Sequence, residues 1–160
     1  MNLKNLKMTI LAGVSLFITT QSMAGFDVTR MTTVVDDLSG SYTVTKSGRL
    51  ADSQFSGTSM TEFNQFHPGQ GDKEATITGF ISKQTSRGDG QISTTSEGAF
   101  LVESLDGVWD VSFADLAVQA SDSGVELSGT IEVNEESYDA IDLPSNLATL
   151  LRRVFWLTRR

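Results

Sequence analysis

Few residues in this chain are of types that do chemistry, and their spacing argues against most of the chemistry available to them. His67 is the only histidine, and it sits in Phe66-His67-Pro68-Gly69-Gln70-Gly71-Asp72, the longest loop signal. With no cysteine in the chain, a zinc site at His67 would need an all-carboxylate remainder. A surface histidine in a loop is the expectation. Serines abound, yet His67 is their one candidate base and no Gly-x-Ser-x-Gly elbow occurs. Asp110 and Asp115 share a stretch and Glu135 is adjacent to Glu136, but neither spacing sets two carboxylates across a cleft. Gly69-Gln70-Gly71-Asp72 and Asp122-Ser123-Gly124 have the residue types of Ca²⁺ turns without the alternating oxygen ligands such loops use. Arg87-Gly88-Asp89 spells an adhesion tripeptide where a tight turn already calls for Gly-Asp-Gly. No catalytic residue, resident metal or cofactor is expected.

The strongest functional signal is a basic, aromatic arc near the end of the chain. Leu147, Leu150, Leu151, Val154 and Phe155 recur at helical spacing, so a helix over 145–156 is expected, started by Pro144 or Ser145 and capped by Asp142 or Ser145. At about 100° per residue, Arg152, Arg153, Arg159 and Arg160 fall in one arc with Trp156 near its middle. Guanidinium groups beside an exposed indole suit a phosphate, an anionic sugar or the acidic surface of a partner or a second copy. The same cations also complement the helix dipole at its C-terminal end, which needs no ligand.

What positions that helix must be a sheet. The stretch after Gly25 is rich in Ser, Thr, Val, Ile and Phe, with turn residues at short intervals. Val125 to Val133 alternates apolar and polar residues with period two, as an antiparallel strand with one wet face does. Further strands are expected at 41–46, 54–66, 74–83, 91–95 with 99–103, and 108–120, and a weaker one at 26–35. Turns are expected at Ser47-Gly48, Gly88-Asp89-Gly90, Glu97-Gly98, Asp106-Gly107, Asp122-Ser123-Gly124 and Asn134-Glu135. Within 108–120 the apolar phase switches from Trp109, Val111 and Phe113 to Leu116, Val118 and Ala120, which places a bulge near Ala114-Asp115. The fold class expected is all-β and mainly antiparallel: a meander of about seven or eight strands curled into a barrel or sandwich, with one C-terminal amphipathic helix.

Residues 1–24 read as a cleaved signal peptide. Lys4 and Lys7 precede an uncharged apolar run from Met8 to Phe17, and Ser22-Met23-Ala24 has the small-x-small ending of a cleavage site. The run is shorter than the roughly 20 residues a membrane-spanning helix needs, so no transmembrane anchor is expected in the mature form. The expectation is a periplasmic or secreted protein whose residues 25–160 form a single β domain. All 20 Asp and Glu follow residue 24, against 10 of the 12 Lys and Arg. Four of those ten lie in the terminal arc, so the body before it is strongly acidic and ill suited to nucleic acid.

Gly107-Val108-Trp109 is similar to the Gly-x-Trp that lipocalins carry near the start of their first strand, and a terminal helix against a barrel resembles that family too. Here the tripeptide lies deep in the chain and the family's other motif partners are missing. The resemblance implies a function without assigning the family: a barrel carrying a small apolar ligand. It stands as the alternative to a non-catalytic envelope or extracellular protein that binds a partner or assembles with itself. An enzyme is the least favoured of the three.

Overall fold

The computed structural model describes residues 26–51, 54–69, 75–121 and 124–159, so the signal-peptide expectation and Arg160 lie outside the described residues. The chain forms one antiparallel sheet: β1 (Phe26–Val35), β2 (Ser41–Ala51), β3 (Gln54–Phe66), β4 (Ala75–Gly88), β5 (Gln91–Ser104), β6 (Gly107–Ser121), β7 (Gly124–Ser128), β8 (Thr130–Val133) and β9 (Glu136–Asp139). Neighbours in sequence are neighbours in space from β1 to β6. β6 then pairs with β7 at its far end and with β8 nearer its start, and β9 closes the order. Among the described residues the sheet is not closed: β1 pairs with β2 and β9 with β8. One helix among the described residues, α1 (Ser145–Leu157), follows.

The expected antiparallel meander with a terminal helix is present, with more strands than expected because Val125 to Val133 breaks at Gly129 and because β9, which was not expected, follows the Asn134-Glu135 turn. Gly129 has φ +119°, and a side chain there would meet the Asp115 carbonyl 2.6 Å away. The break lies opposite the β6 bulge. Ser96 pairs with Leu116 while Gly98 pairs with Phe113, so the extra β6 residue falls at Ala114-Asp115, where the phase switch placed it. A second bulge, at Asn64-Gln65, turns both Phe63 and Phe66 inward around Tyr42, with ring centroids 5.9 and 4.7 Å from it.

Two expected turns are corrected. Ser47-Gly48 lies inside β2 and Glu97-Gly98 inside β5. At both places the paired neighbours continue in register on at least one side, and the glycine serves close packing instead of reversal. A Cβ on Gly48 would strike the Phe55 ring, and one on Gly98 would strike the Phe80 carbonyl. Gly88-Asp89-Gly90 and Asn134-Glu135 do turn the chain. Asp89 and Gly90, like Asn134 and Glu135, take the paired positive φ of a type I′ hairpin.

Apolar residues of β1 to β6 and β8 and one stripe of α1 form a single buried core. Tyr42, Val44, Phe63, Ile81, Phe100, Val111, Phe113, Ile131 and Val133 meet Leu147, Leu151, Val154 and Leu157. Each such side chain contributes about 1.5–3 kcal/mol by leaving water. The expected side-chain cap is absent: Pro144 occupies the N-cap position without a side-chain hydrogen bond.

Candidate functional site

The cross-strand register gives the sheet two faces of opposite charge. Asp27, Glu62, Glu97, Glu103, Asp110, Glu126 and Glu132 all share the outer face and are all exposed. The inner face, which carries the core and α1, has no carboxylate in β1 to β8. It has Arg30, Lys46, Lys83 and Arg87 instead. Arg49 is the basic strand residue left on the outer face, 4.0 Å from Asp27. An acidic chain thus keeps four of the five cations of its described strands on one side.

Three of those cations gather where α1 ends. Arg30 pairs across strands with Lys46, and Lys46 is linked through Ser59 to Lys83 in the same row. Lys46 donates from Nζ to the Arg159 carbonyl at 3.0 Å, and Lys83 donates from Nζ to the Thr158 hydroxyl. The Thr158 hydroxyl in turn donates to the Phe155 carbonyl at 2.8 Å. These bonds satisfy the open end of the helix and favour its negative pole. Lys83 also stands 4.9 Å from the centroid of the Phe155 ring, a cation–π distance.

The arrangement strains the charges it gathers. Burial, then the Arg159 and Lys46 charges, lower the pKa of Lys83 from 10.5 to about 8. Burial, then Arg30, lowers that of Lys46. Both shifts reflect cations held out of water beside other cations.

The residues singled out in the sequence are distributed as follows. Arg152, Arg153, Trp156 and Arg159 are exposed on or just beyond α1, Trp156 at 53 %. Among them, Arg159 acts on the cation row. Arg30, Lys46 and Lys83 were not singled out, yet a signal was present: each occupies the apolar phase of its strand. Lys46 follows Tyr42 and Val44, Lys83 follows Ile77 and Ile81, and Arg30 precedes Thr32 and Val34. A charge on the core phase of a strand reads as a built feature.

His67 is tied down. Its backbone N–H donates to Asp36 Oδ2 at 2.6 Å and its Nδ1 lies 3.0 Å from the same oxygen. Leu38 and Gly40 donate their amides to Oδ1 at 2.8 Å. Burial opposes ionisation of Asp36, but hydrogen bonds from His67, Leu38 and Gly40 outweigh it and hold its pKa below 3.8. The pair fastens the end of β3 to the β1–β2 turn. Asp110 and Asp115 are exposed, and no group of three or more metal-ligating side chains occurs among the described residues.

Phe63, Phe100, Phe113 and the apolar stripe of α1 are packed together in the core on the inner face of the sheet. Trp109 of the Gly-x-Trp tripeptide packs against this core. No helix among the described residues is long and apolar enough to cross a membrane. Comparison with protein-family models, with curated proteins and with solved structures finds no match to this chain.

Proposed function

We propose that this is a non-catalytic exported protein of the envelope or extracellular space, which binds an acidic partner or a second copy of itself through its basic end. The observation that carries the reading is the separation of charge across β1 to β8: four of the five strand cations lie inward, toward α1, and the carboxylates outward, with Arg49 on the outer face and Glu136 of β9 in the inward phase as the exceptions. A molecule so polarised presents complementary surfaces to its own copies and to other acidic chains. Trp156 and the exposed guanidinium groups of Arg152, Arg153 and Arg159 are of the types that dominate binding energy at interfaces. Among the described residues β1 and β9 lie at the ends of the strand order, and their edges offer a second means of association.

Export is checked by the mass of the protein recovered from the periplasm or medium, which should begin at Gly25. Association is checked by light scattering during size exclusion. At low salt the protein should run above the monomer mass. High salt should return it to monomer, as should Arg152→Glu with Arg153→Glu. A monomer at every salt concentration, together with no salt-sensitive retention on an acidic protein matrix, overturns the reading.

A further inference from the structure

One row of side chains crosses the inner face at the end of α1: Arg30, Lys46, Ser59, Lys83 and Ser96, each paired in register with the next. Neighbouring strands lie about 4.8 Å apart, so Lys46 and Lys83 flank Ser59 at roughly 10 Å between backbones. Two long side chains can close that distance over a short one between them. Arg159 adds a guanidinium from the helix side.

Helix capping accounts for part of this row. It uses Lys46 on the Arg159 carbonyl and one Lys83 donor on the Thr158 hydroxyl. An ammonium has three donors, and among the described residues no carboxylate lies within ion-pair distance of Lys83. A separate observation concerns hydroxyls. Ser59 Oγ, between the two lysines, is shut off from water and has no hydrogen-bond partner among the described residues. The same is true of Thr61 Oγ1, one row further toward the core on the same strand, in a residue only 1 % exposed. Buried hydroxyls are normally paired, and an unpaired one between two desolvated ammonium groups is a donor lacking an acceptor. One negatively charged oxygen group, admitted as the Lys46 and Lys83 side chains part over Ser59, would answer both deficits.

We propose that Lys46, Ser59 and Lys83, with Arg30 and Arg159 at the rim, bind an oxyanion group of the phosphate or sulfate kind, free or as the head group of an amphiphile. The site rests on the proposed function only in lying at the same basic end; it requires neither self-association nor Arg152 and Arg153. Two rows beyond it the inner face carries Leu50, Phe55 and Ile92, each 39–40 % exposed, with Arg87 between Phe55 and Ile92. An alkyl chain attached to the bound group would have apolar surface to follow.

The test uses protein purified from cells expressing the full chain, with lysine side chains isotopically labelled for magnetic resonance. Inorganic phosphate and a short-chain phosphatidate are the probes. Each should shift the Lys83 ε resonances and raise the Lys83 pKa above its starting value of about 8. Binding should weaken as pH rises through that value, because Lys83 loses its charge while Arg30 and Arg159 keep theirs. Lys83→Met should weaken binding by about tenfold or more and Ser59→Ala by a few-fold, whereas Lys83→Arg should retain it. Equal affinity for the probes assigns a free oxyanion; tighter phosphatidate assigns a head group with its chain on Leu50, Phe55 and Ile92. Arg152→Gln with Arg153→Gln should leave phosphate binding unchanged while reducing association, so the two proposals fail separately. Lys83 resonances that ignore both probes, or a folded Lys83→Met that binds as the parent does, overturn the site.

Discussion

The inner face of the sheet has two halves built on the same strands with the same alternation, and they end differently. Toward the start of β2 and β6, Tyr42, Val44, Phe113 and Val111 are buried under α1. Toward the other end of these strands and their neighbours, Leu50, Phe55, Ile92 and Leu127 hold equivalent inward positions and remain 37–40 % exposed. The difference is one of reach. A helix of 13 residues is about 20 Å long, whereas strands of 14 and 15 residues extend for about 47–50 Å. The cation row lies at the border, where the cover stops. Inward-facing position in a strand therefore does not make a core; something must lie over it.

The largest effect expected from this contrast is in stability. Phe113 contacts Phe100 and Phe155, with centroids 6.4 and 5.6 Å away. Phe113→Ala should cost about 3–5 kcal/mol, as large core truncations do. Ile92→Ala, on the uncovered half, should cost less than about 1 kcal/mol. Urea unfolding midpoints of the two variants compare them directly. A large loss at Ile92 would mean that the open half is covered in solution, and the contrast between halves would collapse.

A middle-sized effect is expected where the covered half is fastened at its margin. Asp36 accepts from His67, Leu38 and Gly40, and its folded pKa lies below 3.8. A depressed carboxylate contributes stability that is present above its unfolded value and lost as pH falls through the folded one. Asp36→Asn should therefore cost about 2 kcal/mol at neutral pH, the scale of hydrogen bonds to a charged acceptor. The gap from the parent should narrow below pH 3.8. Thermal melts at neutral and acid pH test this, and a constant gap would show that the Asp36 charge is not what fastens the turn.

Much of this arrangement was legible because local chemistry and tertiary structure agree. β3 and β1 follow their expected bounds, the β6 bulge falls at Ala114-Asp115, and α1 extends the expected helix by one residue to Leu157. Failures came where a glycine served packing instead of turning. Gly48 lies under the Phe55 ring and Gly98 against the Phe80 carbonyl, and no local pattern distinguishes such a glycine from a turn residue. The site was half legible for a related reason. Arg152, Arg153, Trp156 and Arg159 stand close in sequence, whereas Arg30, Lys46 and Lys83 meet only through the register of four strands. Their one local trace is a charge in the apolar phase, and its meaning depends on knowing which strands are neighbours.

The smallest effect, and the one that best sharpens the border between the halves, concerns Lys83. Its folded pKa of about 8 lies below the ordinary value of 10.5. Between those values the unfolded chain holds a proton that the folded chain has released, so the stability of the parent should rise with pH across that window. Lys83→Met keeps the length of the side chain, removes the charge, and loses the bond to Thr158 and the contact with Phe155. The losses and the relief from Arg159 and Lys46 oppose each other, so at neutral pH the change should be within about 1 kcal/mol, as for other buried charges replaced by apolar groups of similar shape. The distinguishing sign is in the slope. Melting temperature should climb from pH 8 toward pH 10.5 in the parent more than in Lys83→Met, and phosphate should flatten the climb near pH 8 by holding the proton on. If both proteins follow one pH curve, Lys83 is as well solvated as an exposed lysine, and the border between the covered and open halves lies closer to the core than the row it occupies.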